Sequence, residues 1–231
     1  VSDRYSLVSN RDCFTMIEAA ILGAGVSTVR CGVHVVGDGA KFRAIYLLPE
    51  CYYDVSPGDR ICMAIQVLGS YDGTTRLIVK VGAYRMVYAN GQVGGGGILG
   101  GGFRAKHAGD LQKDVEQAIP MIKTIIEEFP QKAAIFGEWN SAPFDQDAFS
   151  YVTEIMTEQP GMKRHVETLA ERWEPGDSIE DGSSLWDAYN VGTQYATHDC
   201  RSIPVAYRVG ESITGVFVGY WQDQIHEQVW N

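Results

Sequence analysis

The 231-residue sequence lacks any apolar run of the roughly 18 or more residues that a membrane-spanning helix needs. Its apolar stretches are broken by Gly, Asp or Arg, so no membrane partner is expected. It has no CxxC pair, and its five cysteines, at positions 13, 31, 51, 62 and 200, are odd in number and widely spaced. That pattern is no disulfide framework and reads as reduced thiols in a cytoplasmic protein. His34, His107, His165, His198 and His226 are scattered, without HxH or HExxH spacing, so no metal site is assigned. No GxSxG elbow marks a nucleophile, and no Gly-Lys-Ser/Thr follows the glycine-rich stretch to make a phosphate-binding loop. The expectation is a protein with no catalytic residue, no metal and no cofactor. A secretory leader is not expected either: Val1-Ser2-Asp3-Arg4 carries charge from the start and no long apolar run follows. A first residue other than Met reads as a processed or trimmed end.

Positive charge is scarce overall, with 19 Lys plus Arg against 29 Asp plus Glu and a formal net charge of -10. Its distribution is uneven. Residues 1–106 hold 11 basic and 8 acidic side chains, a balance of +3, whereas residues 107–231 hold 8 basic and 21 acidic ones, a balance of -13. A mildly basic front half could face a polyanion while an acidic back half keeps the particle in solution; acidic helices that merely solvate their outer faces would give the same asymmetry.

What is present organises into two halves. Asn10 can cap a helix over about 11–22, with Phe14, Ile17 and Ile21 on one face. A strand-rich part follows over about 30–90. It has strands at 31–36, 40–48, 61–68 and 75–81, with 84–89 as a fifth strand or a bent continuation of the fourth. Turns fall at Gly37-Asp38-Gly39, Ser56-Pro57-Gly58-Asp59 and Asp72-Gly73. Alternation in the second strand puts Lys41 and Arg43 on one face and Phe42, Ala44 and Tyr46 on the other. Arg76, Ile78 and Lys80 share a face of the fourth. Residues 91–102 contain eight glycines and read as a mobile loop, a close approach of backbone to something, or a plain linker. From about 108 the period turns helical. Helices are expected over about 110–129, kinked at Pro120 and ended by Pro130, then over 145–159, 162–173, 185–198 and 210–230. Strands do not alternate with helices, so the class is α+β, an antiparallel sheet packed against mostly C-terminal helices in a single domain over 1–231.

The carboxylates Glu127 and Glu128 point to two sides of a helix and read as solvated, as does the acidic stretch with Asp177, Glu180, Asp181 and Asp187. The basic residues are the better lead. Lys41, Arg43, Arg76, Lys80, Arg85, Arg104 and Lys106 come from the strands and the loop, interleaved with Tyr71, Tyr84 and Tyr88. Cations for phosphates and π faces for unstacked bases are what a single-stranded nucleic acid needs. A solvated sheet face with packing tyrosines would show the same residues.

The stretch from Gly69 through Ser70, Tyr71, Asp72, Gly73, Thr74 and Thr75 to Leu77, followed by Tyr84-Arg85-Met86-Val87-Tyr88-Ala89-Asn90, resembles the phage and plasmid-like proteins built on domain of unknown function 932. Arg104-Ala105-Lys106-His107-Ala108-Gly109 resembles that family's basic-His-Thr-Gly element. Leu185-Trp186-Asp187-Ala188-Tyr189-Asn190-Val191, running on to His198, resembles its Trp-containing helix. Tyr71 stands where the family has His, and Tyr88-Ala89 where it has Cys-Asn. The resemblance is similar in turn to that of phage single-strand annealing recombination proteins with a β-β-β-α core. It implies single-stranded DNA binding and annealing by a homo-oligomeric ring or filament, phage- or plasmid-encoded, in the host cytoplasm, with no cofactor. Under it Arg76, Arg85, Arg104 and Lys106 contact phosphates, His107 stacks or hydrogen-bonds, Asn90 locks a turn, and Trp186 and Tyr189 belong to the core or a subunit interface. The alternative is a phage structural or inhibitor module that binds no nucleic acid, which suits the acidic charge better. An enzyme whose site assembles only in space ranks last.

Overall fold

The structure, a computed structural model, describes residues 9–27, 29–36, 38–70, 77–85, 102–105, 111–173 and 183–226. Helix α1 (Asn10–Gly23) leads into strands β1 (Val29–Val36), β2 (Lys41–Ser56), β3 (Asp59–Ser70), β4 (Leu77–Arg85) and β5 (Gly102–Ala105). Helices α2 (Leu111–Ser141), α3 (Gln146–Glu158), α4 (Lys163–Trp173), α5 (Leu185–His198) and α6 (Ile203–Tyr220) follow, and Trp221–His226 adds a π-helical turn. The strands form one antiparallel meander in the order β1-β2-β3-β4-β5. The α+β class expected from the sequence is the class observed.

Several boundaries move, each for a local reason. The N-cap of α1 is Ser9, whose hydroxyl accepts from the Asp12 N–H at 3.1 Å; Asn10 is the first helical residue and its amide donates to Gly39 O at 2.9 Å. Strand β2 does not stop at Leu48. A register shift between Leu48 and Tyr52 takes up Pro49, which cannot donate to a ladder, and pairing resumes to Ser56. Pro57-Gly58 then closes a two-residue turn, Gly58 supplying φ +86° where a side chain would be strained. Strand β4 runs unbroken to Arg85, and β5 begins at the last glycine of the glycine-rich stretch. Residues 91–101 lie outside the described ones, as do Asp72 and Gly73.

The largest departure is α2. It was expected to kink or split at Pro120 and to end at Pro130; one helix is continuous through both, so it neither splits at the first nor ends at the second. The two prolines are exposed. The opposite face buries Ile122, Ile125, Phe129, Ala133, Phe136 and Trp139 in a continuous stripe. A proline costs about 3 kcal/mol inside a helix, and each large buried side chain returns about 1.5–3 kcal/mol. The stripe outweighs the breaks.

The sheet divides cleanly by parity. Phe42, Ala44, Tyr46 and Leu48 of β2, Ile61, Met63, Ile65 and Val67 of β3, and Leu77, Val79 and Val81 of β4 face the main core with α1 and α2. The helical half joins the same core through an aromatic cluster. Phe136 and Trp139 meet edge-on at 5.6 Å, Trp139 and Tyr189 at 5.2 Å, and Tyr189 and Phe217 at 5.6 Å. Helix α5 starts in a capping box in which Ser184 and Asp187 exchange side-chain and backbone bonds, and its first residues are held by Leu185 N–H to Ala142 O at 2.9 Å.

Gly69 has a structural task. Its pair partner in β2 is Phe42, whose ring lies edge-on to Phe14 at 4.9 Å. A Cβ on Gly69 would come within 2.8 Å of two carbons of that ring. The Gly69→Ala variant is expected to lose about 1–3 kcal/mol of stability through overpacking. In urea unfolding this appears as a lower midpoint at an unchanged slope; an unshifted midpoint would show that the ring has room to move.

Candidate functional site

The other sheet face, turned away from α1 and α2, carries the basic positions. Register sets its ranks. Lys41 is opposite Ser70; Arg43 is opposite His34 on β1 and Leu68 on β3, and Leu68 is opposite Ile78, which is opposite Arg104. The next rank is Ile45, Gln66, Lys80 and Gly102. Beyond it Ile45, Leu47, Cys62 and Ala64 form a second, small buried cluster with Tyr84 packed on it. The face is thus polar at the β2 N-terminal end and apolar in its middle, and at the far end Arg60 pairs with Asp54 at 2.6 Å.

The predicted cations differ in what they touch. Lys41 is half-buried and forms no side-chain hydrogen bond or ion pair among the described residues. Hydrogen bonding assigns the Gln66 amide the orientation that turns its oxygen toward Arg43, where it accepts from Nε at 2.8 Å and Nη2 at 2.9 Å. That partner is neutral, so the bond aims the guanidinium without itself cancelling charge. Lys80 is held from the helical half. Its ammonium lies 2.7 Å from the Glu211 carboxylate and 3.8 Å from the centroid of the Tyr207 ring, both on α6. Its side chain is only 16% exposed. Arg104 is placed by its backbone register alone. Arg76, Lys106 and His107 lie outside the described residues, as do Tyr71, Tyr88 and Asn90.

Arg85 sits on the core-facing side instead, opposite Ile61. It forms a two-pronged bond to Asp59, Nε to Oδ1 and Nη2 to Oδ2, both at 2.6 Å. The indole N–H of Trp186 donates to the same Oδ2 at 2.7 Å, and the guanidinium stands 5.5 Å from the Trp186 ring centre. Asp59 is 8% exposed. Its three strong donors offset the cost of burying a carboxylate, and they tie the β2–β3 turn, the end of β4 and the start of α5 at one point. Sequence reasoning placed Asp59 only in a turn. Its partners are 26 and 127 residues away, and nothing local announces them.

The helix motif places its residues in packing roles. Trp186 and Tyr189 are buried, as expected of core residues, and the Asn190 amide donates to Trp186 O at 2.7 Å. Glu128 pairs with Lys132 at 2.8 Å and Glu127 is exposed. Burial, with Asp12 beside it, pushes the Cys13 thiol up to about 11; burial also raises Cys51, next to Glu50, and Cys200, next to Asp199. Thiols held protonated are poor nucleophiles. Among the described residues no group of three or more His, Cys, Asp or Glu is arranged to hold a metal ion, and no helix is long and apolar enough to cross a membrane.

The family model of Domain of unknown function (DUF932) matches residues 1–214, and the chain is a member of that family. No curated protein and no solved structure matches it.

The two engaged cations make opposite predictions. Arg85→Ala leaves a buried carboxylate with one donor where it had three and is expected to cost about 3–5 kcal/mol. Lys80→Met keeps the aliphatic stem and removes both an ion pair with a half-exposed partner and the ammonium's contact with the Tyr207 ring, for a loss of about 1–2 kcal/mol. Paired urea denaturation curves check both, and a mild Arg85→Ala would show that Asp59 does not need its guanidinium.

Proposed function

We propose that this chain binds single-stranded nucleic acid along the sheet face that carries Lys41 and Arg43, as a non-enzymatic protein of the annealing kind that its phage and plasmid-like resemblance implies. The observation that carries the reading is one rank of the sheet. His34, Arg43 and Arg104 occupy the same cross-strand row, with Lys41 one row further out. Four strand spacings of about 4.8 Å give that row a length of roughly 19 Å, enough to follow several phosphates. Lys80 and Arg85, bound to Glu211 and Asp59, hold the scaffold in this reading and do not meet the ligand. The same reading assigns the outer strand β1 to contact with a second copy. It is an edge strand of eight residues whose Val33 and Val35 are 39% and 50% exposed.

Anisotropy of a labelled oligodeoxythymidine tests the reading. Affinity should fall as salt rises, with a log–log slope near -0.7 per phosphate contact. The double variant Lys41→Gln, Arg43→Gln should flatten that slope by about one to two contacts. No binding at about 50 mM salt, or an unchanged slope in the variant, overturns it. Native mass spectrometry tests the assembly: multimers are expected, and a strict monomer at all concentrations contradicts that part.

A further inference from the structure

We propose that β1 is a dimerisation edge: it pairs antiparallel with β1 of a second copy, His34 opposite the partner's His34 and Val33 opposite the partner's Val35. The contact rests on the assignment of β1 to a second copy above; what is new is its symmetry, its register and what it does to the cationic row. β1 is the end strand of the sheet, so its outer main-chain N–H and C=O groups meet no other strand among the described residues. Natural edges are blunted by Lys, Pro, a bulge or a covering element. The one irregularity of β1 falls between Arg30 and Gly32. From Gly32 to Val36 it pairs with β2 residue by residue, and that segment has neither Lys nor Pro. Val33 and Val35 lie opposite Ala44 and Phe42, which are 0% and 3% exposed, yet are themselves 39% and 50% exposed. The helical layer covers β2 and stops short of β1.

Symmetry and parity fix the rest. Two identical strands pair antiparallel only about a twofold axis normal to the sheet, which keeps the same face of both copies on the same side. Side chains directly opposite share a face, so a slip of one residue would set His34 against a valine. Among the registers that respect parity, the one centred on His34 sets both exposed valines of each copy against those of the other. Centring it on Val33 or on Val35 matches only that valine. The rival contact, β1 against β5 of the next copy, is poorer. In a five-strand antiparallel meander β1 and β5 run the same way, so a head-to-tail copy would pair them parallel, and β5 offers only four residues. The α1 helices do not obstruct the dimer. Each is seated on its own β2 through Phe14 and Phe42, and the two β2 strands would stand three spacings, about 14 Å, apart, where packed helices need about 8–10 Å.

The dimer continues the cationic row. Arg104, Arg43 and His34 of one copy run into His34, Arg43 and Arg104 of the partner subunit on one face of a joined sheet. The row lengthens from about 19 Å to roughly 43 Å, nine strand spacings, and a nucleic-acid strand bound along it would bridge both copies. The contact closes at two copies, so a ring or filament requires a second interface.

Cysteine cross-linking of the full chain, without nucleic acid, tests the register. Val33→Cys mixed with Val35→Cys should give a linked dimer through a disulfide or a short bifunctional thiol reagent, while each variant alone stays at the wild-type baseline. Val35→Lys, which puts a charge against the partner's Val33, should weaken self-association in sedimentation equilibrium by about tenfold or more at an unchanged urea midpoint. A multimer whose mixture links no better than either variant alone, or one that survives Val35→Lys unweakened, overturns this register and leaves the second-copy contact standing. A strict monomer removes both. Failure of oligodeoxythymidine binding with the cross-link intact removes the nucleic-acid reading and supports the dimer.

Discussion

One carboxylate sets the geometry of this protein. Asp59 leaves the β2–β3 turn pointing into the core, where an unpaired charge would be prohibitively costly. It persists because Arg85 closes on it with two N–H groups and Trp186 with a third. Those donors arrive from the far end of β4 and from the first turn of α5. The sheet and the helical half are therefore joined by a directional link as well as by apolar contact. Apolar contact alone would tolerate sliding; three charge-assisted bonds to one group do not.

That link has a consequence for charge. A chain with 19 basic side chains commits some of them to its own architecture. Arg85 is spent on Asp59 and Lys80 on Glu211 and Tyr207. Of the others, Lys41, Arg43 and Arg104 lie toward the β2 N-terminal end, while Arg60 pairs with Asp54 at the opposite end, beyond the small apolar cluster of Ile45, Leu47, Cys62 and Ala64. The polar and apolar stretches of one sheet face arise from the same strands because parity fixes the face while the sequence along each strand changes character.

Parity is also why so much of the sheet was legible beforehand. Lys41 and Arg43 against Phe42, Ala44 and Tyr46 is a period-two pattern, and it placed both sets on their observed faces. The Leu185–His198 helix was legible because periodicity and capping chemistry are local. Failures had non-local causes. Pro120 and Pro130 read as breaks because the value of the buried stripe beside them depends on a strand, β2, that lies far earlier in the chain. Strand β5 is four residues long, too short for a periodicity to show. Arg85 looked like one more exposed cation, since neither Asp59 nor Trp186 is near it in sequence. Of the candidate site, the face was readable and the partners of its cations were not.

A double-mutant cycle between Arg85 and Trp186 tests this account most directly. Arg85→Leu and Trp186→Phe each remove donors from Asp59 while keeping much of the apolar volume. Because they act on the same carboxylate, their losses in urea unfolding should interact by about 1 kcal/mol or more. Simple additivity, within about 0.5 kcal/mol, would mean that Asp59 does not couple the sheet to α5, and the account would be wrong at its centre.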